Sequence, residues 1–205
     1  VLCPFYLPRR QLAEGVSFPG LKWPLAPWLY YHIREGNVDA DADWLPEGWI
    51  LLDLTKRPNY DDGKQMYPDT SGFKEMLADL REQGQIAVSD FYGHVGKDSR
   101  FAISPEEIDG EKVAVAKAVA AILGTKTEQV TTPSYAVFNY VGNLAHPELG
   151  QVNTSEWLRD NFGYGSRLSG GDSDGGGLSR VGVWQSVGRD DCVGFRLQVS
   201  SPAKT

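Results

Sequence analysis

Histidine is the side chain best suited to acid–base and metal chemistry at neutral pH, and this sequence has three: His32, His94 and His146. They are scattered along the chain. None stands at metal-ligand spacing from a second histidine or from a cysteine. We therefore interpret each one as a surface or core histidine, and we expect no bound metal and no catalytic site built on them.

A serine motif offers a second chemistry. Gly171-Asp172-Ser173 resembles the Gly-Asp-Ser nucleophile motif of one family of esterases. Those enzymes carry the serine early in the chain and an Asp-x-x-His base later, because a serine hydroxyl is inert without a nearby imidazole. No histidine follows His146 here. The order of residues therefore disfavours an esterase.

Carboxylates around the same point offer a third chemistry. The run from Asp172 to Gly175 resembles the start of a calcium loop. The twelfth position of such a loop would be Val183 instead of Glu, and no flanking helix is expected, so an EF-hand is excluded. An irregular calcium site that uses Asp172, Asp174, Asp190 or Asp191 stays open as an alternative.

The two cysteines, Cys3 and Cys192, stand at opposite ends of the chain. Two thiols do not make a disulfide framework, so we expect both to be unpaired. The alternative, a bond between them, requires the two termini to meet.

Length and charge narrow the class of protein. The 205 residues suit one large domain, or one domain with an arm, and can bury a sizeable core. The net charge is −7, and Arg9-Arg10 is the densest basic cluster. Nucleic acid and anionic membranes are therefore poor partners. No apolar run reaches the length of a membrane span, so we expect no membrane insertion. No signal peptide is visible, which leaves the location open, display on a cell or virion surface included.

The elements that must position any site begin after an unusual first segment. Residues 1–48 contain six prolines, which break helices and central strands, and several large aromatic residues that need a neighbour to bury them. We interpret this segment as an irregular arm packed on the core of a domain that spans residues 49–205.

The middle of the chain shows clearer periods. Residues 49–54 read as a strand. A first helix begins at Thr70 or Ser71, buries an i, i+3, i+4, i+7 stripe and ends at Gly84. A second begins with Ser104 as its cap, breaks at Asp109-Gly110 and continues from residue 111 to 123. The two stripes are Phe73, Met76, Leu77 and Leu80 in the first helix, and Val115, Val119, Ile122 and Leu123 in the second.

A third, shorter helix is capped by Thr132, followed by Pro133, and carries a stripe of Tyr135, Phe138 and Val141. Only loops and short strands follow Gly142. The fold class is therefore α+β, with helices mainly in residues 70–142 and β-rich loops at the C-terminal end.

The last forty residues combine fixed edges with an arbitrary centre. Residues 180–192 lie between a glycine-rich segment (Gly170, Gly171, Gly175, Gly176, Gly177) and the exit segment Gly194-Phe195-Arg196-Leu197. The latter predicts a buried final strand in which Arg196 alternates outward. That centre has neither a helical nor a strand period. It is the stretch around which we expect the rest of the chain to be organised.

Four segments appear in a distinctive order over residues 128–199. They are Thr131-Thr132-Pro133-Ser134 with its helix ending at Phe138-Asn139-Tyr140, then Asn153 with Glu156-Trp157, then Arg167 with Gly170-Gly171, and finally Gly194-Phe195-Arg196. This succession resembles the C-terminal part of the formylglycine-generating-enzyme branch of the C-type lectin fold. The resemblance implies that fold for the chain.

That branch has two subfamilies with different functions. The enzymes oxidise a sulfatase cysteine with a pair of cysteines in the C-terminal region, whereas Cys192 stands alone here. The other subfamily comprises the variable proteins of diversity-generating retroelements. In these, a reverse transcriptase rewrites the end of the gene from a template repeat and randomises adenines, so that residues on an exposed face of the fold vary.

The sequence is similar to the second arrangement, with a variable region at about residues 164–196. The resemblance implies a ligand-binding protein without catalysis, metal or cofactor, whose partner is a protein or other surface ligand specific to this variant. The implied contact residues are Arg180, Gly182, Val183, Trp184, Gln185, Val187, Gly188, Asp190, Asp191 and Cys192. The residues that we expect to be fixed lie before, between and after them: Gly170, Gly171, Ser173, Asp174, Gly176, Gly177, Leu178, Val181, Arg189, Gly194, Phe195 and Arg196.

Trp184 is the expected anchor, because a rigid aromatic side chain supplies contact area at little entropic cost. Three alternatives stay open. They are an oxidoreductase of the formylglycine-generating type, a calcium-dependent carbohydrate-binding lectin, and a plain surface loop in which Trp184 simply joins the core.

Overall fold

Helices and short strands alternate along the chain in a computed structural model, which describes residues 1–88 and 90–201. The helices are α1 (Pro27–Arg34), α2 (Ser71–Glu82), α3 (Pro105–Ile108), α4 (Ala114–Leu123) and α5 (Tyr135–Leu144). The strands are β1 (Leu2–Leu7), β2 (Arg10–Gln11), β3 (Trp44–Leu45), β4 (Gly48–Asp53), β5 (Val130–Thr131), β6 (Ser155–Phe162), β7 (Ser166–Gly170), β8 (Val181–Gln185), β9 (Val193–Phe195) and β10 (Gln198–Ser200). The protein is therefore α+β, as the sequence predicted.

Two four-stranded sheets carry the fold. The first sheet has the order β1-β4-β10-β5 and is antiparallel. The second sheet has the order β8-β7-β6-β9 and is antiparallel except for the parallel pair β6–β9. Strands β2 and β3 form a separate short pair. Both β1 and β8 are edge strands.

The second sheet separates two hydrophobic cores, because successive side chains of a strand point to opposite faces. Leu158 of β6 and Leu168 of β7 join the first core with α1, α5 and the inward residues of β1 and β4. Trp157 of β6 and Phe195 of β9 join the second core with α2 and α4. The sheet therefore has buried positions on both faces.

The segment before residue 48 is more regular than its prolines suggested. Residues 2–7 form strand β1, and Pro4 is tolerated there because an edge strand has one side free of ladder hydrogen bonds. Pro27 occupies the first turn of α1, where its missing N–H costs nothing. The interpretation of residues 1–48 as irregular is therefore corrected, because β1, β2, α1 and β3 all lie in this segment. The boundary at residue 48 stays a prediction, and residues 202–205 of the proposed domain lie outside the described part of the chain.

The first two predicted helices are present. Helix α2 begins after Thr70, and Gly84 follows it with φ +69°. The break after Ile108 is also confirmed, although α4 begins only at Ala114. The predicted burial of the last turn of α4 is wrong: Ile122 is 68% exposed and Leu123 is 42% exposed.

Helix α5 begins two residues later than predicted, with Ser134 as its cap. The Ser134 hydroxyl accepts a hydrogen bond from the Val137 N–H at 3.2 Å. Thr132 cannot be the cap, because its N–H and hydroxyl both donate to Asp109 Oδ2, at 2.5 and 2.9 Å. The predicted stripe of Tyr135, Phe138 and Val141 is buried.

Two expectations for the C-terminal end are corrected. Residues 181–185 form strand β8, so the centre of the last forty residues is not wholly irregular. The exit is two strands, β9 and β10, and Arg196 between them is fully buried instead of pointing outward. Among the described residues, no helix has the length and apolar character needed to cross a membrane.

Candidate functional site

A buried charge network lies beneath the C-terminal surface. We use this name for Glu156, Arg196, Arg57 and Tyr67, all of which are inaccessible to solvent. Arg196 donates to both oxygens of Glu156, at 2.8 and 2.9 Å. The Tyr67 hydroxyl donates to Glu156 Oε1 at 2.7 Å, and an Arg57 nitrogen lies 3.6 Å from Oε2. Such paired charges are stable in a core only because each is neutralised and hydrogen-bonded.

The network keeps its charges despite burial. Burial alone raises the pKa of Glu156, but the charges of Arg196 and Arg57 and the hydrogen bonds hold that pKa below its ordinary value. Burial raises the pKa of Tyr67 well above its ordinary value, and the negative Glu156 raises it further. Tyr67 is therefore a hydroxyl donor to a carboxylate at neutral pH.

Two of the motif residues must be glycines, because side chains of the buried charge network lie very close to them. Gly171 has φ +92°, and a Cβ on it would lie 2.7 Å from the Arg57 guanidinium, which donates to the Gly171 carbonyl at 2.7 Å. A Cβ on Gly194 would lie 2.9 Å from the Tyr67 hydroxyl. Both positions exclude larger side chains, which explains these glycines without any role in binding.

Asp109 joins two further motif segments. Its Oδ1 lies 2.6 Å from Arg167 Nη1, and its Oδ2 accepts from Thr132. Each of the four motif segments therefore takes part in buried contacts, through Glu156, Gly171 and Arg196 at the charge network and through Thr132 and Arg167 at Asp109, whereas Asn153 is exposed.

The predicted contact residues lie above this support, on β8 and on the connection from β8 to β9. Strand β8 pairs with β7 from Gly170↔Val181 to Ser166↔Gln185 and leaves its other edge without a strand partner among the described residues. None of the ten predicted contact residues is buried, whereas Gly170, Gly171, Gly177, Leu178 and residues 193–197 around them are. Four of the ten are exposed and six are half-buried, while Ser186 among them is buried and Asp174 and Gly176 of the glycine-rich segment are exposed.

The backbone of residues 186–192 is held at several points. Ser186 donates to the Gly165 carbonyl at 2.9 Å, and the Asp190 carbonyl accepts from Ala102 at 3.0 Å. The Cys192 carbonyl accepts from Ser155 at 2.9 Å. Arg189 Nη2 donates to the buried Glu107 of α3 at 2.6 Å. The backbone of residues 186–192 is therefore held in place, and we call it the platform. The side chains of these residues differ from one another in exposure.

A cleft opens beside this platform. It has a volume of about 260 Å³ and is lined by Tyr92, Trp157, Trp184, Gln185, Gly188, Arg189 and Asp190. Trp157 is buried and donates its indole N–H to the Ile103 carbonyl at 3.0 Å, so its ring is a fixed floor. Trp184 is 43% exposed and forms part of the wall. The predicted anchor therefore lies beside a concave aromatic surface.

The ten residues differ in how free they are. Arg180, Trp184, Gln185 and Val187 are exposed. Val183 instead packs against the first core, on the opposite face of β8 from Trp184. The two glycines are constrained: a Cβ on Gly182 would lie 3.0 Å from the Ser169 hydroxyl, and one on Gly188 would lie 2.9 Å from the Gln185 carbonyl oxygen.

Asp190, Asp191 and Cys192 are half-buried and hold local structure. Asp190 Oδ1 accepts from the Cys192 N–H at 2.8 Å. Asp191 Oδ2 lies 2.9 Å from His94 Nε2 and accepts from the Tyr60 hydroxyl at 3.2 Å. Burial, with the neighbouring carboxylates of Asp190 and Asp191, raises the pKa of Cys192 to about 12. This thiol is therefore protonated at neutral pH, and neither cysteine is in a disulfide.

The described residues offer no cluster of calcium ligands for the alternative of a calcium site. Asp172 Oδ1 accepts from the Asp174 N–H at 3.0 Å and so closes a turn. Within residues 1–88 and 90–201, no three His, Cys, Asp or Glu side chains come together in a group that could hold a metal ion.

Sequence reasoning missed several neighbours of the site. Tyr60, Tyr92 and His94 come from loops distant in the sequence, and no local pattern could place them beside Asp191 and the cleft. Tyr164 could have been found, because it lies inside the predicted variable region. It is fully exposed at the tip of the β6–β7 hairpin, between Gly163 and Gly165, which both have positive φ.

Comparison with known proteins gave no match: no family model, no curated protein sequence and no solved structure shows significant similarity to the chain.

Proposed function

We propose that this chain is a ligand-binding protein whose contact surface is formed by β8 and the connection to β9. The observation that carries the proposal is the separation of exposed side chains from a pinned backbone at residues 180–192. A surface position that supports neither a cap nor a core usually tolerates substitution within about 0.5 kcal/mol. Changes at such positions can therefore alter binding while the fold is kept.

The ligand we propose is a protein or other macromolecular surface. Trp184 lines the wall of the 260 Å³ cleft, and Val187 is exposed three residues further along the chain. Tyr164 is exposed two residues before Ser166, which pairs with Gln185. Aromatic residues around a desolvated pocket are typical anchors of protein interfaces. Asp190 and Asp191 add negative charge there. The cleft itself is small, so we expect it to accept one side chain of the partner and not a whole small-molecule ligand.

The finer part of the proposal is that a diversity-generating retroelement varies this surface and that the fold is a C-type lectin fold of the formylglycine-generating-enzyme branch. It rests on the resemblance of the four segments. Two contacts support it: Arg196 pairs with Glu156, and Arg57 donates to the carbonyls of Gly170 and Gly171. Residues that such a family keeps fixed would be those that build the support.

The state of Cys192 weighs against the oxidoreductase alternative. A redox-active thiol needs a lowered pKa and a partner thiol, because the thiolate is the reactive form. The pKa of Cys192 is instead raised to about 12, and both cysteines are free. We therefore propose a protein without catalysis.

The DNA that flanks the gene tests the retroelement directly. We expect a reverse-transcriptase gene and a near-copy of the codons for residues 164–196, with differences concentrated at adenines of the copy. Flanking DNA without such a repeat would rule out diversification. It would leave the ligand-binding surface to be tested separately.

A further inference from the structure

The outer face of the first sheet is apolar where an exposed antiparallel sheet is normally polar. Cross-strand pairs share a face, and the pairs Pro4↔Leu51 and Tyr6↔Trp49 point outward from β1 and β4. Tyr6 is 54% exposed, Trp49 is 59% exposed and Leu51 is 38% exposed. An antiparallel sheet with one solvated face alternates apolar and polar residues, and here the alternation fails.

This face continues onto helix α4. Two adjoining grooves, of about 330 and 350 Å³, lie between α4 and the sheet and share Leu123 and Val199. Ile122 and Leu123, whose helical period predicts burial, are the exposed residues of α4 at their edge. Among the described residues, no charged side chain lines the second groove, whereas Asp53, Lys56, Asp69 and Arg100 are part of the lining of the first. We call the surface made by Tyr6, Trp49, Leu51, Ile122 and Leu123 the sheet–helix patch.

The area of the sheet–helix patch fits a stable interface. Taking about 200 Å² for an aromatic side chain and somewhat less for an aliphatic one, its exposed fractions amount to on the order of 500 Å². A standard interface buries about 800 Å² per partner, a little over half of it non-polar. The patch therefore has the apolar area that one side of such an interface requires.

The patch also carries both halves of a self-complementary contact. The protruding Trp49 and Tyr6 rings, 5.5 Å apart between centroids, stand beside the grooves that an indole could enter. A two-fold interface needs a protrusion and a recess on one and the same surface, since each copy offers the same patch. Two chains of net charge −7 repel each other, and an uncharged patch is where they can approach.

We propose that the sheet–helix patch is a homodimer interface, with Trp49 of each copy seated in the groove beside Leu123 of the other. The proposal is independent of the binding role of residues 180–192. It leaves that surface free in both copies, because β8 belongs to the second sheet. A dimer would then present the ligand-binding surface twice, which strengthens attachment to a repetitive ligand by avidity.

Sedimentation velocity of the full chain, from micromolar to near-millimolar concentration, tests the proposal. We expect a dimer that Trp49→Glu converts to a monomer, with dimer affinity weakened at least about 100-fold because a charge enters an apolar interface. Ile122→Glu changes the patch on a separate element, and we expect it to be monomeric too. It keeps the proposal testable if Trp49→Glu does not fold. Trp44→Glu is the matched control: Trp44 is 37% exposed on β3, outside the patch, and its substitution leaves the dimer intact.

A wild-type chain that stays monomeric over the whole range would overturn the proposal, as would a dimer that survives both patch substitutions. Loss of the dimer in Trp44→Glu would place the interface elsewhere and overturn it equally.

Discussion

At the residue scale, two tryptophans show how the chain divides support from surface. Trp157 is 1% exposed, lies in the second core and has its indole N–H satisfied by Ile103. Trp184 is 43% exposed and belongs to neither hydrophobic core. The two rings line the same cleft, yet they are under different constraints. We expect only Trp184 to tolerate substitution without loss of core packing.

Alanine substitution of each tryptophan measures this difference. Trp157→Ala should lower the free energy of unfolding by about 3–5 kcal/mol, because it opens a large cavity. Trp184→Ala should lower it by less than about 1 kcal/mol, as is usual at a surface position. Chemical denaturation of both variants gives the comparison. Equal losses would mean that Trp184 belongs to the core.

Asp160 is a second residue whose environment makes a prediction. It is 3% exposed and accepts a hydrogen bond from the Tyr135 N–H at 2.6 Å. Burial, reinforced by the charges of Asp39 and Asp41 and opposed by that of Arg159, raises its pKa to about 7. The folded protein therefore holds this proton more tightly than the unfolded chain does. The resulting stability is complete in acid and is lost as the pH rises through about 7.

Asp160→Asn removes this titration and keeps an oxygen that can accept from Tyr135. At about pH 8 the variant should be more stable than wild type, by on the order of 1–3 kcal/mol, and the difference should shrink towards about pH 4. Denaturation curves at several pH values measure it. The control is Asp61→Asn, which removes an exposed carboxylate that does not act on Asp160. A constant difference for Asp160→Asn would refute the raised pKa.

At the scale of elements, Arg189 adds a side-chain anchor to the backbone hydrogen bonds of the connection from β8 to β9. This guanidinium joins the platform to Glu107, which also accepts from Ala87 at 2.7 Å and from Ser104. Burial raises the pKa of Glu107, but these hydrogen bonds, first that of Arg189, lower it below the ordinary value. The resemblance led us to expect Arg189 to be fixed among neighbours that vary, and this ion pair is a physical reason for keeping an arginine there.

Arg189→Ala should loosen residues 186–192 without unfolding the chain, because Glu107 keeps its other donors. We expect the amides of this connection to exchange with solvent roughly tenfold faster, which corresponds to about 1.4 kcal/mol of lost local stability. Hydrogen exchange read by mass spectrometry measures the change. Arg180→Ala, an exposed position at the start of β8, serves as the control and should leave this exchange unchanged. An unaltered rate in Arg189→Ala would show that backbone contacts alone hold the platform.

Elements with a strong local signal were predictable, and contacts between distant residues were not. The period of α2 and the Ser104-Pro105 start of α3 are local, so they appear where predicted. The cap of α5 was misplaced because Thr132 is engaged by Asp109, which lies 23 residues away in the chain. Arg57, the partner of Gly171 at a separation of 114 residues, carries no local signal at all.

An edge strand without a clear alternation of apolar and polar residues also escapes prediction from the sequence. Strand β8 was missed because Gly182 and Trp184 face one side while Val181 and Val183 pack on the first core, so a short run of apolar and small residues shows no clear alternation. The prediction that the end of α4 is buried was wrong for a different reason. Its period is correct, but none of the described residues covers Ile122, which is 68% exposed.

At the scale of the whole molecule, a buried support carries the surface that we propose to be variable. The buried charge network ties β6 and the β9–β10 exit to the segments around Arg57 and Tyr67. The Arg189 pair and the backbone hydrogen bonds then fix the path of the connection above it. Neither set of contacts uses the exposed side chains of Arg180, Trp184, Gln185 or Val187. Those four should therefore vary most freely.

Paired libraries displayed on cells test this central claim most directly. One library randomises Arg180, Trp184, Gln185 and Val187, and the other randomises four buried residues of the same region, Leu158, Leu168, Leu178 and Phe195. Resistance to protease reports folding, and selection against an unrelated protein target reports new binding. We predict that most members of the first library fold and yield binders, whereas few members of the second fold. The account would be contradicted if the first library lost its fold as often as the second, or if it folded and gave no binder to any target.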